Sequence, residues 1–319
     1  MNEHGRCWRC LAILLAACAP ANAPALRAEA RPNAVAWSGS HAGAASLDRD
    51  GDFRVRIVDL KTRQCSLGPS STWAIGRADG GYVAARSAGR ETKLVWFDFR
   101  GMAPTQRTIV LPFAASEILA VAQSGTQSCA VTDTRALCHD GTSITFDAEV
   151  ELQFYRGKAT SQLVASGESL FLATEQGEWG GGLVRIDRDG TLTWLVDRQA
   201  DGVSDIVPWP AGCVTATLAR GRGSVMLGLP QNVLTVCGRG PSTRRTIWND
   251  AGSPRLLVTR RGLVRAFHEQ VERFTDASVV IEEPAGAGSA CGYTFNRFVG
   301  GVLVGWLAGQ TIAIEEDAP

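Results

Sequence analysis

A short apolar run that ends in aspartate recurs along this chain at near-even spacing. VRIVD at 55–59, LVWFD at 94–98 and LVRID at 183–187 are clear copies, and ALCHD, ending at Asp140, is a weaker one. Successive stops lie 39, 42 and 47 residues apart, and a repeat of that length filled with short strands is the mark of a β-propeller. Each unit is one small sheet that cannot cover its own apolar faces, so the units must stack.

Other segments extend the series. Gly182-Leu183-Val184-Arg185 returns letter for letter as Gly262-Leu263-Val264-Arg265. SVMLGLP at 224–230 occupies the slot between them, and GVLVGWL at 301–307 follows the later copy. The expected fold class is therefore all-β, a seven-bladed β-propeller, with six blades as the alternative if the segment 34–67 or the final one is incomplete. No long helical periodicity is present, and the apolar runs are broken by Gly, Asn, Asp and Pro. The glycine-interrupted run 298–309 is too short for a membrane helix and reads as strand, turn and strand.

Within a blade of strands A to D, the recurring motif suits strand C. SLFLAT (169–174) is then B, LVRID is C and TLTWLV (191–196) is D. Antiparallel neighbours alternate direction, so B–C turns and D–A links share one end of the sheets. A–B and C–D turns share the other.

The N-terminus carries export features. Arg6 and Arg9 precede an apolar run, 10–19, too short to span a bilayer permanently. Leu15-Ala16-Ala17-Cys18 resembles the lipobox of bacterial lipoproteins, which implies a signal peptide at 1–18 and lipidation of Cys18. In enteric bacteria a residue other than Asp after that cysteine, here Ala19, implies the outer membrane; ordinary cleavage after Ala23 or Ala30 would give a periplasmic or secreted protein instead. The Ala/Pro-rich segment 19–33 reads as a tether, leaving 34–319 as the propeller domain.

Nine cysteines occur. Cys7 and Cys10 belong to the signal, and six remain beyond Cys18: Cys65, Cys129, Cys138, Cys213, Cys237 and Cys291. An even count in an exported chain permits disulfides. Reading SCAVTDTRALCHD as a hairpin turning at Asp133-Thr134 sets Cys129 opposite Cys138, within bonding reach. The same stretch resembles a hairpin in bacterial propeller repeats of the regulator-of-chromosome-condensation type. If SVMLGLP is strand C of its unit, Cys213 opens B and Cys237 closes D, at opposite ends, and their pairing is not expected. Among those six no C-x-x-C pair supports zinc.

The formal net charge is zero, so no overall charge imbalance points to nucleic acid. Lys61, Lys93 and Lys158 are the only lysines among 32 basic residues. The candidate ligand groups are these. EQGEWGGG (175–182), a B–C connection, offers Glu175 and Glu178 to a cation or sugar hydroxyl and Trp179 to a sugar ring. The bland alternative is a glycine-rich bulged hairpin. GEWGGGLVRIDRDG resembles blade repeats of periplasmic sensor propellers, in which such a stretch is structural. DRDGD sets Asp48, Asp50 and Asp52 at alternate positions, as calcium loops do, but Phe53 stands where an EF-hand needs glycine. A tight turn wants the same residues.

Arg220 and Arg222 would sit in one B–C turn, Arg239, Arg244 and Arg245 in the next D–A link, and Arg260 and Arg261 in the following B–C turn. That places seven guanidinium groups at one end of two neighbouring blades, a match for phosphate, carboxylate or sulfate. Solvated surface arginine is the competing reading.

No HExxH or G-x-S-x-G occurs. The expectation is a non-catalytic, envelope-anchored propeller that binds a partner protein or an anionic polysaccharide of the envelope, touching the membrane only through its lipid. No organic cofactor is expected, and calcium is the one ion the spacing admits. A metal-dependent hydrolase or lyase, with its site at the central channel, is the alternative. Carboxylates converging on the channel would favour the enzyme; a filled channel would favour the scaffold.

Overall fold

In the computed structural model the polypeptide of residues 33–315 folds into consecutive antiparallel meanders, each hydrogen-bonded in chain order. The first is β1 (Asn33–Ser38), β2 (His41–Leu47), β3 (Phe53–Asp59) and β4 (Gln64–Leu67); the second is β5 (Thr72–Ala78), β6 (Gly81–Ala88), β7 (Glu91–Asp98) and β8 (Pro104–Leu111). The third is β9 (Ile118–Ser124), β10 (Gln127–Thr132), β11 (Arg135–His139) and β12 (Ile144–Glu149). The fourth comprises β13 (Thr160–Ser166), β14 (Ser169–Glu175), β15 (Gly181–Ile186) and β16 (Leu192–Val196). In the fifth are β17 (Asp201–Val207), β18 (Cys213–Arg220), β19 (Gln231–Cys237) and β20 (Gly240–Ile247). The sixth has β21 (Arg255–Thr259), β22 (Gly262–Phe267), β23 (Gln270–Phe274) and β24 (Val279–Glu282), and the last β25 (Pro284–Ala290), β26 (Tyr293–Phe298), β27 (Val302–Leu307) and β28 (Gln310–Glu315). The structure describes these strands and the residues 68–71, 89–90, 112–117, 125–126, 133–134, 140–143, 150–152, 167–168, 187–191, 197, 208–209, 212 and 238. Among the described residues there are thus seven four-stranded sheets and one short 3-10 turn, Ala115–Glu117.

Period-two alternation makes the stack. On β14, Leu170 and Leu172 enter the core shared with the third sheet, while Phe171 and Ala173 enter the core shared with the fifth. Leu163 and Val164 on β13 divide in the same way. A sheet covered on both faces needs apolar residues at consecutive positions, which is why all of β15 is buried. Outer strands are covered less: on β8, Ile109 and Leu111 are buried between exposed Thr108 and Val110. Further shared cores join the first sheet to the second, the second to the third, and the fifth to the sixth.

First strands line the middle of the stack. β5 lies against β1 and β9, β9 against β13, β17 against β13 and β21, and β1 also reaches β13. Gly76 lets β5 and β9 approach, since a Cβ there would overlap the Val121 carbonyl. The last sheet differs. Residue 283 alone separates β24 from β25, and this sheet meets β21, β22, β1 and β2 through its final strand, β28.

The recurring motifs fall on third strands in the first four sheets, as expected from the period. Two placements are corrected. The third strand of the fifth sheet is β19, so SVMLGLP is not strand C; it lies outside the described residues, between β18 and β19. Gly262 opens β22, a second strand, where strand C was expected. Second and third strands are both covered on two faces, so their apolar runs look alike in sequence.

Candidate functional site

Two polar clusters are built by residues far apart in the chain. The first joins first strands. Arg77 on β5 sends Nη2 to both carboxylate oxygens of Asp205 on β17, at 2.7 and 2.9 Å. The same nitrogen lies 3.4 Å from the Leu256 carbonyl on β21. Asp205 is fully buried, and the backbone N–H of Leu256 and of Ile206 donate to it at 2.6 and 3.0 Å. A register shift between Val203 and Asp205 marks this point of β17. Both Asp205 oxygens are therefore engaged, by a guanidinium and by main-chain amides. This is how a buried carboxylate is satisfied, and it leaves the group acceptor-saturated rather than poised as a base or ligand.

The second cluster lies where the fourth sheet meets the fifth. Arg185 on β15 is buried; Nε and Nη2 bind Asp187 Oδ2 at 3.2 and 3.0 Å. Its Nη1 donates to the Gly238 carbonyl, across the sheet boundary, at 2.8 Å. Ser169 donates to the other Asp187 oxygen at 2.6 Å. The Arg and Asp of the LVRID motif are thus an internal pair that ties one sheet to the next.

Cys129 and Cys138 face each other across β10 and β11 and are bonded, as the hairpin reading expects. Cys213 and Cys237 are also bonded, which overturns the expectation that they lie at opposite ends. They are facing residues of β18 and β19, which pair directly. Disulfides of this kind belong to an oxidising, extracytoplasmic environment. The side chains of Cys65 and Cys291 lie outside the described residues.

The glycine-rich connection runs from β14 to β15, a B–C position as expected. Glu175 faces Gly181 and Thr174 faces Gly182 in the ladder. A Cβ on Gly181 would overlap the Thr174 carbonyl and come within 2.8 Å of the Gly202 Cα in the fifth sheet. That glycine is there for close packing of the fourth sheet on the fifth. Glu178 and Trp179 lie outside the described residues, as does the side chain of Glu175. So do Asp48, Asp50, Asp52 and the lipidation candidate Cys18. Among the described residues no cluster of three or more His, Cys, Asp or Glu could hold a metal ion.

The structure redistributes the arginines. Arg220 ends β18 and Arg222 follows it into the B–C connection. Arg244 and Arg245 belong to strand β20, opposite Leu234 and Val233, rather than to a D–A link. Arg239 falls between β19 and β20, a C–D position, and Arg260 and Arg261 fall between β21 and β22, an A–B position. Arg222, Arg239, Arg260 and Arg261 themselves lie outside the described residues, but their connections open at both ends of the sheets, not at one. The slip of one strand explains the shift.

Exposed turns are locally stabilised. Asp140 Oδ1 accepts from the Thr142 hydroxyl and the amides of Thr142 and Ser143, at 2.7 to 2.9 Å. These bonds, the Thr142 hydroxyl first, hold its carboxyl down to about 2. Burial pushes the Tyr82 hydroxyl well above its ordinary value, where the ring stacks on Phe97 at 4.7 Å.

No protein-family profile matches the chain, and no curated protein matches it. Among solved structures it is similar to the Pan2 WD40 domain of Neurospora crassa, at 11% identity with a TM-score of 0.52, over 94% of this chain and 93% of that one. The shared fold is propeller-like. A β-propeller domain of the trilobed protease of Pyrococcus furiosus is also similar, at 8% identity and TM-score 0.45, over 90% and 99% of the two chains. Sequence reasoning missed the Arg77–Asp205 cluster; its signal was a charge set next to apolar residues on each of two first strands.

Proposed function

We propose that this protein is a non-catalytic, seven-bladed β-propeller held at the cell envelope by a lipid on Cys18, and that it binds a partner protein or an anionic envelope polymer. Seven sheets in chain order, the last meeting the first through β28, support the ring. The observation that carries the scaffold reading is Asp205, the buried carboxylate among the first strands, which is saturated by Arg77, Leu256 and Ile206. Engaged in this way, Asp205 offers no ligand position to a metal ion.

The corrected strand order supports a choice of binding end. Arg239, Arg260 and Arg261 fall in C–D and A–B connections of adjacent sheets, which we assign as the basic end; Arg222, Glu178 and Trp179 fall in B–C connections at the other, and Arg220 and Glu175 end the strands that lead into them. Anionic ligands are recognised by such guanidinium groups. The test is retention of the purified protein on immobilised sulfated polysaccharide during a salt gradient. The triple change R239A/R260A/R261A should lower the eluting salt concentration, and R220A/R222A should leave it unchanged. Retention lost only in the second variant, or unaffected by both, overturns the proposal.

A further inference from the structure

The two disulfides differ in setting although both join facing residues of adjacent antiparallel strands. Cys129 and Cys138 are each 1% exposed, within a core shared by two sheets. The Cys213–Cys237 bond sits at a corner open on one side only: Cys213 is buried, but Cys237 is half-buried, and exposed Gly212 and Gly238 flank the pair. Among the described residues nothing lies within 4 Å of where a Cβ would stand on either glycine. A thiolate attacking in line with a disulfide needs such an approach.

The same corner holds the boundary between the fourth and fifth sheets. The carbonyl of Cys213 accepts from the Ser166 hydroxyl at 3.3 Å, and the carbonyl of Gly238, next to Cys237, accepts from Arg185 Nη1 at 2.8 Å. Both acceptors are main-chain groups of, or next to, the bonded cysteines. If the ends of β18 and β19 separate, Arg185, a buried cation, loses its partner across the boundary, and a buried donor without an acceptor is costly.

We propose that Cys213–Cys237 is a reducible clamp on the boundary between the fourth and fifth sheets, while Cys129–Cys138 is a permanent staple. The reductant is a dithiol. One of its thiolates attacks a protein sulfur, the S–S bond breaks with its electron pair going to the other sulfur, and the reductant's second thiol displaces the mixed disulfide. Cys213 and Cys237 finish as two thiols, having gained two electrons and two protons, and the reductant leaves as its cyclic disulfide. Opening the clamp frees the corner of the fifth sheet from Ser166 and Arg185, so the redox state of one bond sets how firmly two sheets are joined.

The experiment treats the folded protein with graded dithiothreitol, traps thiols with iodoacetamide and maps them by peptide mass spectrometry, with hydrogen exchange measured in parallel. Cys213 and Cys237 should be alkylated at about ten-fold lower reductant than Cys129 and Cys138, as accessibility governs attack. Exchange at 163–170 and 182–187 should rise with that first step, while 127–139 keeps its rate. Arg185→Lys with the disulfide intact should raise exchange at the same boundary without any free thiol. Joint or reversed reduction, an unchanged boundary after Cys213 and Cys237 are reduced, or a silent Arg185→Lys overturns the clamp.

Discussion

Arg77 and Asp205 are separated by 128 positions in the chain, yet their side chains meet at 2.7 Å, joining the first strand of the second sheet to that of the fifth. With Leu256 as a third participant, three sheets that share no backbone hydrogen bonds among the described residues are tied at one carboxylate. Such a pair is not an inexpensive source of stability, because both ions are taken from water. Its effect is clearest when one partner is removed. Asp205→Asn and Arg77→Leu should each lower unfolding free energy by about 3 to 5 kcal/mol. The double change should cost less than the two singles together, because neither then strands a charge. Urea unfolding followed by tryptophan fluorescence measures all three. Additive effects, or single losses under about 1 kcal/mol, would mean that the pair does not form in solution.

Gly76 poses a different steric question from Gly89. At Gly76 a methyl group would overlap the main-chain carbonyl of Val121, in the adjoining sheet, and a backbone atom cannot rotate away. At Gly89 the space is open and the cost is confined to its φ of 69°. Gly76→Ala should therefore destabilise by about 1 to 3 kcal/mol or more, through forced separation of β5 and β9. Gly89→Ala should cost about 1 kcal/mol, with no loss of hydrogen-exchange protection in β9. Equal costs with β9 undisturbed in both variants would contradict the close approach.

The repeat and its alternation were readable because neighbouring sheets sort residues of one strand strictly by parity, as Leu170 and Leu172 against Phe171 and Ala173 show. Parity does not distinguish a second strand from a third, and there the reading slipped, at Gly262 and across 221–230. That one slip hid the Cys213–Cys237 bond and misplaced Arg239, Arg244, Arg245, Arg260 and Arg261. Cys129 and Cys138 were legible because only nine positions of hairpin separate them. Asp205 could have been noticed as a charge inside VSDIV, but its partner Arg77 could not be named, since pairing at that range depends on how sheets are arranged in space.

Asp140 provides a local test of one turn. Its carboxyl is held at about 2 against an ordinary 3.8, first by the Thr142 hydroxyl and then by the Ser143 and Thr142 amides. A depressed folded value means that the ionised turn contributes stability fully above the unfolded value and loses it as pH falls through the folded one. The turn at 140–143 should therefore stay ordered at pH 4 and loosen as pH approaches 2. Carboxyl-carbon NMR should give Asp140 a midpoint near 2, as the bonds require. Thr142→Val removes the largest contribution and should move that midpoint upward, leaving Asp147, held down mainly by its bond to Arg135, where it was. A wild-type midpoint near 3.8 would show that these three bonds are absent from the turn in solution.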